Sequence, residues 1–303
     1  MGNFTKISRQ EWRKLAQSEN FITNDELKSI TSLGDVIDTK DVSEVYVPLI
    51  KYLHLFVQNK NKMSQIQADF FGKEKRKSPF IIGISGSVAV GKSTAARILE
   101  VLIKRYYPDL AVQLMTTDGF LYPNRELEKR HIMNKKGFPE SYNMRLLADF
   151  LSDVTSGKER VNYPLYSQKN SDIIPDKFGE IRNPDILIIE GINTLQLPPN
   201  GNVVTSDFFN FSIYIDADEK LIETWFMQRF KYLLEINKND PENFYYSWAN
   251  GPLQEAIDMA EKVWQTVNLV NLHEYIAPTK DRANVILHKT EGHKIDKLFI
   301  RHY

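Results

Sequence analysis

The chain has 303 residues, enough for one large α/β domain or two smaller ones, and 42 % of them are hydrophobic, enough to fill a sizeable core. Its 39 Lys and Arg balance its 39 Asp and Glu, so no charge excess pulls it onto nucleic acid or an anionic membrane, and any phosphate affinity must come from a local site. Cysteine is absent, which excludes disulfides, thiolate nucleophiles and Cys-ligated zinc, and fits a reducing, cytoplasmic setting.

The start, MGNFTKISRQEW, lacks the apolar core of a secretory signal, and no run approaches the ~18 apolar residues of a membrane span. Gly2 fits a myristoylation start, but Lys6 stands where Ser or Thr is wanted. Residues 1–78 read as a helical N-terminal extension packed on the core. Within it Val42, Val45, Tyr46, Leu49, Ile50, Leu53, Phe56 and Val57 recur at three- and four-residue steps, the stripe of a long amphipathic helix. That stripe either covers the main core or forms a dimer surface. GKEKRKSP (72–79) is a basic, solvated connector.

From residue 79 the pattern changes. PFIIGIS (79–85), AVQLMTT (111–117), DILIIEG (185–191) and FSIYIDA (211–217) are continuous apolar runs suited to strands buried on both faces. Helical patterns interleave with them, at Ile98, Leu99, Leu102, Ile103 and Tyr106, and again at Leu221, Ile222, Trp225, Phe226, Phe230, Leu233 and Leu234. ANVILHK (283–289) and KLFIRH (297–302) read as edge strands of the same sheet. Alternating elements of this kind predict an α/β fold, a mostly parallel sheet covered by helices on both faces, spanning 79–303 as one unit with the extension.

Gly86-Ser-Val-Ala-Val-Gly91-Lys92-Ser93 matches the P-loop pattern, with a strand before it and a helix after it. Such glycines let backbone N–H groups turn inward around phosphate oxygens, and the helix N-terminus adds partial positive charge. Ser87, Val88, Ala89 and Val90 form the cradle, Lys92 reaches the β- and γ-phosphates, and Ser93 ligates Mg²⁺, with Thr94 beside it. Arg97, one turn on, is either a further phosphate contact or a solvated helix residue.

A P-loop does not name the acceptor of the phosphoryl group. Two short motifs fit a GTPase, Asp176-Lys-Phe-Gly179 and Asn237-Lys-Asn-Asp240, but the second follows a helix-periodic stretch and the first follows SDIIP, a turn-rich segment without a strand to aim Asp176. A kinase needs a base for the acceptor hydroxyl and cations over the migrating charge. TTDGFL delivers Asp118 to the carboxyl edge of the sheet, where open α/β folds bind ligands. Glu190 ends DILIIEG, where an acid can serve Mg²⁺ or its waters. Arg229 sits among apolar helix neighbours and either snorkels to water or reaches a phosphate. Phe244, Tyr245, Tyr246 and Trp248 form either a lid over an acceptor or a satellite core cluster.

Taken in order, GSVAVGKSTAAR, TTDGFLYPN, KKGFPESYN, YPLYS, PDILIIEGINTLQ, FFNFSIYIDAD, TWFMQRF and APTKDRANVIL resemble the prokaryotic type I pantothenate kinases, from about residue 40 to 290. The resemblance implies an enzyme using Mg-ATP to phosphorylate the primary hydroxyl of pantothenate, giving 4′-phosphopantothenate, the first step of coenzyme A biosynthesis. A kinase of another small hydroxylated metabolite, uridine kinase-like, is the alternative, and a nucleotide-gated binding switch is a second. The resemblance further implies that Asp118 is the base and Arg229 steadies the transferred group. It places Tyr166, Tyr245 and Asn268 at pantothenate, Lys289 and His293 near adenine, and two copies in a homodimer. Three departures stand out. Gln168 replaces a His found where inhibitory coenzyme A binds, Phe226 replaces a Tyr at the acceptor, and Leu233 and Lys238 replace lid aromatics.

Overall fold

The computed structural model describes residues 2–16, 22–197 and 204–302, and its sheet begins with a strand that the sequence reading lacks, Phe4–Ser8 (β1). Eight more strands follow: Phe80–Gly86 (β2), Val112–Thr116 (β3), Arg160–Ser167 (β4), Asp172–Arg182 (β5), Ile186–Glu190 (β6), Phe211–Ala217 (β7), Val285–Lys289 (β8) and Ile295–Arg301 (β9). Seven form one sheet in the order β1-β9-β8-β7-β2-β6-β3. The five runs from β2, β3, β6, β7 and β8 are parallel, and β9 is antiparallel to both neighbours. The expectation that the two C-terminal strands lie at an edge is corrected: β8 sits between β7 and β9, β9 between β8 and β1, and the edges are β1 and β3. The first 78 residues are mostly helical yet add a strand to the common sheet, so they are not helical throughout.

The central strands alternate between two cores. Ile82, Ile84, Ile186 and Ile188 face one cluster of buried side chains, while Ile81, Leu187 and Ile189 face the other. Each such side chain is worth roughly 1.5–3 kcal/mol of burial, which explains the unbroken apolar runs. The first core takes the helices Val47–Phe71 and Lys92–Tyr106, and the second takes Met144–Thr155, so both faces are covered.

The stripe at 42–57 belongs to the first core. Val42, Val45, Tyr46, Leu49, Ile50 and Leu53 are at most 1 % exposed, so the alternative of a dimer surface is excluded for these side chains. The far end of the same helix does expose apolar residues, Met63, Ile66, Phe70 and Phe71, before Gly72 caps it in the left-handed region.

β4 and β5 form a separate antiparallel hairpin beside the sheet, also absent from the sequence reading. It corrects the view that Asp176 follows a strandless segment. Asp176 lies within β5, exposed and at φ 55°. No helix among the described residues is long and apolar enough to cross a membrane.

Candidate active site

The chain leaves β2 through the loop 86–91 and enters the helix Lys92–Tyr106 with Gly91 as its N-cap at φ 90°. A Cβ on Gly86 would stand 2.6 Å from the Ile215 carbonyl oxygen, so only glycine lets the loop turn so close to β7. Lys92 Nζ donates to the Ser87 carbonyl at 2.7 Å, folding the ammonium over the cradle. Ser93 Oγ donates to Glu190 Oε1 at 2.9 Å. Register explains that contact: Glu190 pairs with Thr116 on one side, so β6 and β3 end at one level, and with Ile84 on the other, two residues before β2 ends at Gly86. A hydroxyl and a carboxylate joined at the mouth of a phosphate loop are suitable ligands for a hard cation, and the residues present therefore fit Mg²⁺ with a nucleotide triphosphate.

Asp118 follows Thr116 by two residues, in the short 3-10 turn Thr117–Phe120, with its N–H donating to Thr116 Oγ1 at 3.2 Å. Burial, reinforced by the charge of Glu190, pushes its carboxyl up to about 6, while Lys92, the amide of Gln168 and Arg229 pull the other way. Burial likewise lowers the Lys92 ammonium, against the opposing pull of Glu190 and Asp118, with Arg229 adding to the fall. The four groups predicted from separate motifs thus share one electrostatic site. A carboxyl poised near neutrality beside the lysine of a P-loop motif is a suitable general base.

On the side of the hairpin, Tyr166 Oη lies 3.0 Å from Ser171 Oγ, and burial raises its hydroxyl to about 12 against that hydrogen bond, with smaller contributions from Asp118, Tyr245 and Asp172. Tyr245 in turn is near Arg229 and packs edge-on to Phe230 and Phe244. The segment 240–245 is tied to the hairpin turn: Phe244 N donates to the Lys169 carbonyl at 2.9 Å, and Lys169 pairs with Asp240 and Glu242. The satellite-cluster reading of the aromatic run is met by Tyr245 and Trp248, which both pack on the cluster around Phe230 and Leu234, and Tyr245 also lies near Arg229.

Three residues of the site were not singled out from sequence. Lys136 Nζ donates to Asn124 Oδ1 at 2.8 Å, lies 5.4 Å from the Tyr166 ring centre and interacts electrostatically with Asp118. Tyr142 is buried and held far above its ordinary value by that burial, with Asp118 and Tyr166 adding to it. Asn271 Nδ2 donates to the Gly137 carbonyl at 2.9 Å, anchoring the loop that carries Lys136. The block KKGFPESYN contained the signal for the first two, but a lysine in a basic run reads as solvated.

The other expected residues have partners outside this electrostatic cluster, and Lys289 stands at its border, where a Cβ on Gly91 would lie 2.5 Å from its Nζ. Arg97 is exposed and donates to the Ile30 carbonyl at 3.1 Å and Ser32 Oγ at 3.2 Å, so its partners are in the N-terminal segment. Thr94 is buried, its hydroxyl accepting from Ser32 N at 3.0 Å. Phe226 lies 5.7 Å from the ring of Trp264, between two apolar clusters. Asn268 is half-buried at the end of the π-turn Trp264–Asn268. Lys289 and His293 are buried against Asp35. The Asn237–Asp240 motif ends the helix Glu219–Asn237 and its following turn, and Asn237 caps that helix from within by donating to the Leu233 carbonyl.

Comparison with known proteins adds a family. A family profile described as "Phosphoribulokinase / Uridine kinase family" matches residues 81–231. A protein named pantothenate kinase from Levilactobacillus brevis is 49 % identical over 302 residues, covering 99 % of this chain and 98 % of that protein. Another of that name, from Limosilactobacillus reuteri, is 50 % identical over 300 residues with the same coverage. Among solved structures, D-glycerate 3-kinase from Cryptococcus neoformans has a TM-score of 0.57 at 14 % identity, covering 82 % of this chain and 97 % of the other, a likeness of fold alone.

Proposed function

Since the chain belongs to the pantothenate kinases, we propose that the cluster at the carboxyl edge of its sheet is the site where ATP and pantothenate meet. The protein is a Mg-ATP-dependent kinase that phosphorylates the primary hydroxyl of pantothenate to give 4′-phosphopantothenate, opening coenzyme A biosynthesis. Near-complete coverage at about half identity favours this over a uridine kinase-like activity.

The observation that carries the residue assignment is the shared electrostatics of Asp118, Lys92, Glu190 and Arg229 at one end of the sheet. Asp118 takes the proton of the acceptor hydroxyl, and Lys92 and Arg229 neutralise charge on the phosphoryl group in transit. Ser93 and Glu190 hold the metal, which supplies further charge neutralisation when bound. Tyr166 and Tyr245 line the acceptor side, and no covalent enzyme intermediate is needed. Coupled ADP release with pantothenate, uridine, ribulose 5-phosphate and no acceptor tests the reading: turnover with pantothenate alone supports it, and acceptor-independent slow hydrolysis defeats it.

Coenzyme A is proposed as a weak feedback inhibitor, since glutamine at 168 keeps a hydrogen bond but lacks the imidazole ring. Gln168→His is expected to strengthen inhibition, and an unchanged inhibition curve removes the idea. A homodimer is proposed through the exposed stripe Met63, Ile66 and Phe70 rather than through the buried 42–57 stripe. Light scattering of an Ile66→Glu/Phe70→Glu variant should then report a monomer. A cytoplasmic location belongs to the same reading.

A further inference from the structure

The backbone ladder between β3 and β6 ends where Thr116 pairs with Glu190. One residue further on, in the turn that bears Asp118, the Thr117 hydroxyl donates to Asn193 Oδ1 at 2.6 Å. The two chains are thus tied once more, by side chains, after their backbones part. Thr117 is 1 % exposed and Asn193 is fully buried, so neither side chain opens into the site. The fit is close: a Cβ on Gly191 would collide with Thr117 Oγ1 and lie 3.1 Å from Asn193 Oδ1, so only glycine after Glu190 leaves room for the bond. Asn193 is itself held in place. Its carbonyl accepts from Gln196 N at 3.1 Å, Thr194 Oγ1 donates to the Gly191 carbonyl at 3.1 Å, and Asn193 Nδ2 lies 3.8 Å from Met144 Sδ at the start of the helix Met144–Thr155.

We propose that Asn193 is a positioning residue for phosphoryl transfer, its bond to Thr117 fixing the turn that carries Asp118 against the strand end that carries Glu190. This rests on the reading of Asp118 as the base and Glu190 as a metal ligand. Asp118 is one peptide unit from Thr117, so a swing of that residue carries the carboxyl with it. Its other ties do not relate it to Glu190: its N–H bonds within its own segment, to Thr116 Oγ1, and Gln168 reaches it from the hairpin side. The Thr117–Asn193 bond does relate them. In-line transfer needs the acceptor oxygen, held by the base, and the metal, held by the acid, at a set separation, and a misplacement of about 1 Å can cost about 10²-fold in rate. A hydrogen bond fixes both distance and direction, whereas an apolar contact fixes neither. A buried polar pair can often be exchanged for apolar residues of the same shape with little loss of stability. Stability alone therefore does not call for this pair, and a fixed geometry between base and metal ligand does.

The experiment measures kcat, both KM values and melting points for the wild type, Thr117→Ser, Thr117→Val, Thr117→Val/Asn193→Leu and Asp118→Asn, with ATP and pantothenate at saturating Mg²⁺. Thr117→Val keeps the shape, loses the bond and orphans the Asn193 amide. The double variant removes that amide as well, so it should melt close to the wild type. In both, kcat is expected to fall at least about tenfold while the KM values for ATP and pantothenate stay within about threefold, because neither residue touches a ligand. Thr117→Ser, which retains the hydroxyl, should keep kcat within about threefold of the wild type. A double variant that regains turnover along with stability would show that the bond only satisfies two buried polar groups, which overturns the proposal, as does wild-type kcat in a folded Thr117→Val. If Thr117→Val is too unstable to assay, the double variant gives the same decision. Asp118→Asn keeps this proposal apart from the mechanism beneath it. A slow Asp118→Asn beside a fast Thr117→Val overturns this proposal alone, whereas a fast Asp118→Asn overturns the assignment of the base and the proposal with it.

Discussion

Gln168 Nε2 donates a 3.3 Å hydrogen bond to Oδ2 of Asp118, although the two residues are 50 positions apart and Gln168 itself is exposed. The bond ties the turn after β4 to the proposed base. It favours the carboxylate over the acid and therefore opposes the burial that pushes Asp118 up to about 6. Removing it with Gln168→Ala should raise the acid-side limb of the kcat/KM profile above about 6, by up to about one pH unit. A pH–rate series on the two proteins decides this, and coincident limbs would show that the amide does not act on the base.

Asp118→Asn should lower turnover at least ~10²-fold while leaving ADP affinity nearly intact, since in the proposed mechanism the group acts on the acceptor and not on the nucleotide. The same change should also stabilise the fold at neutral pH. The carboxyl titrates higher when folded than when unfolded, so the folded state binds more protons between about pH 4 and 6. Its favourable contribution is complete below the lower value and is lost as pH rises through the upper one. At pH 7 the native protein carries a buried charge that Asn lacks. Thermal melts at pH 7 should thus place the inactive variant above the wild type, and at pH 4 the gap should shrink. A lower melting point at pH 7 would contradict this account.

The limits of what sequence reveals here are physical. β2, β6 and β7 are buried on both faces, so their apolar runs carry an unambiguous signal. β1 is short, half-exposed and paired only at an edge, and FTKIS has no clear alternation. The hairpin β4–β5 carries Pro164 and Pro175, residues that argue against a strand, and it accommodates them with a register shift between Pro164 and Tyr166 and a left-handed Asp176. Motif spacing exposed Lys92, Ser93, Asp118 and Glu190 because a loop and two strand ends fix them locally. Asp35 carried no such mark, because Lys289 lies 254 positions away and only the folded chain joins them.

Gly119, next to the base, has a different role from the loop glycines. A Cβ there would stand 2.0 Å from the Pro164 carbonyl oxygen, a backbone atom of β4 that cannot rotate away. Gly119→Ala must therefore shift the hairpin or the turn bearing Asp118. A loss of about 1–3 kcal/mol is expected, read as a lower urea midpoint at unchanged slope. Because Tyr166 and Gln168 lie on or just after β4, the pantothenate KM should rise more than the ATP KM. Wild-type stability in this variant would mean that β4 yields freely.

Glu190 acts in two directions, which makes its removal informative. Its carboxylate accepts from Ser93 Oγ, and its negative charge is the second cause, after burial, of the raised Asp118 carboxyl. Glu190→Gln keeps the shape and removes the charge. A higher Mg²⁺ requirement should follow, because a neutral amide is a poorer ligand for a hard cation. Asp118, relieved of a like charge, should then ionise more readily, so the acid-side limb of kcat/KM moves below about 6, opposite in sign to the Gln168→Ala shift. Measured at saturating Mg²⁺, the two variants thus bracket the wild type from opposite sides. Should both limbs move the same way, the limb belongs to another group, and Asp118 loses its assignment as the titrating base.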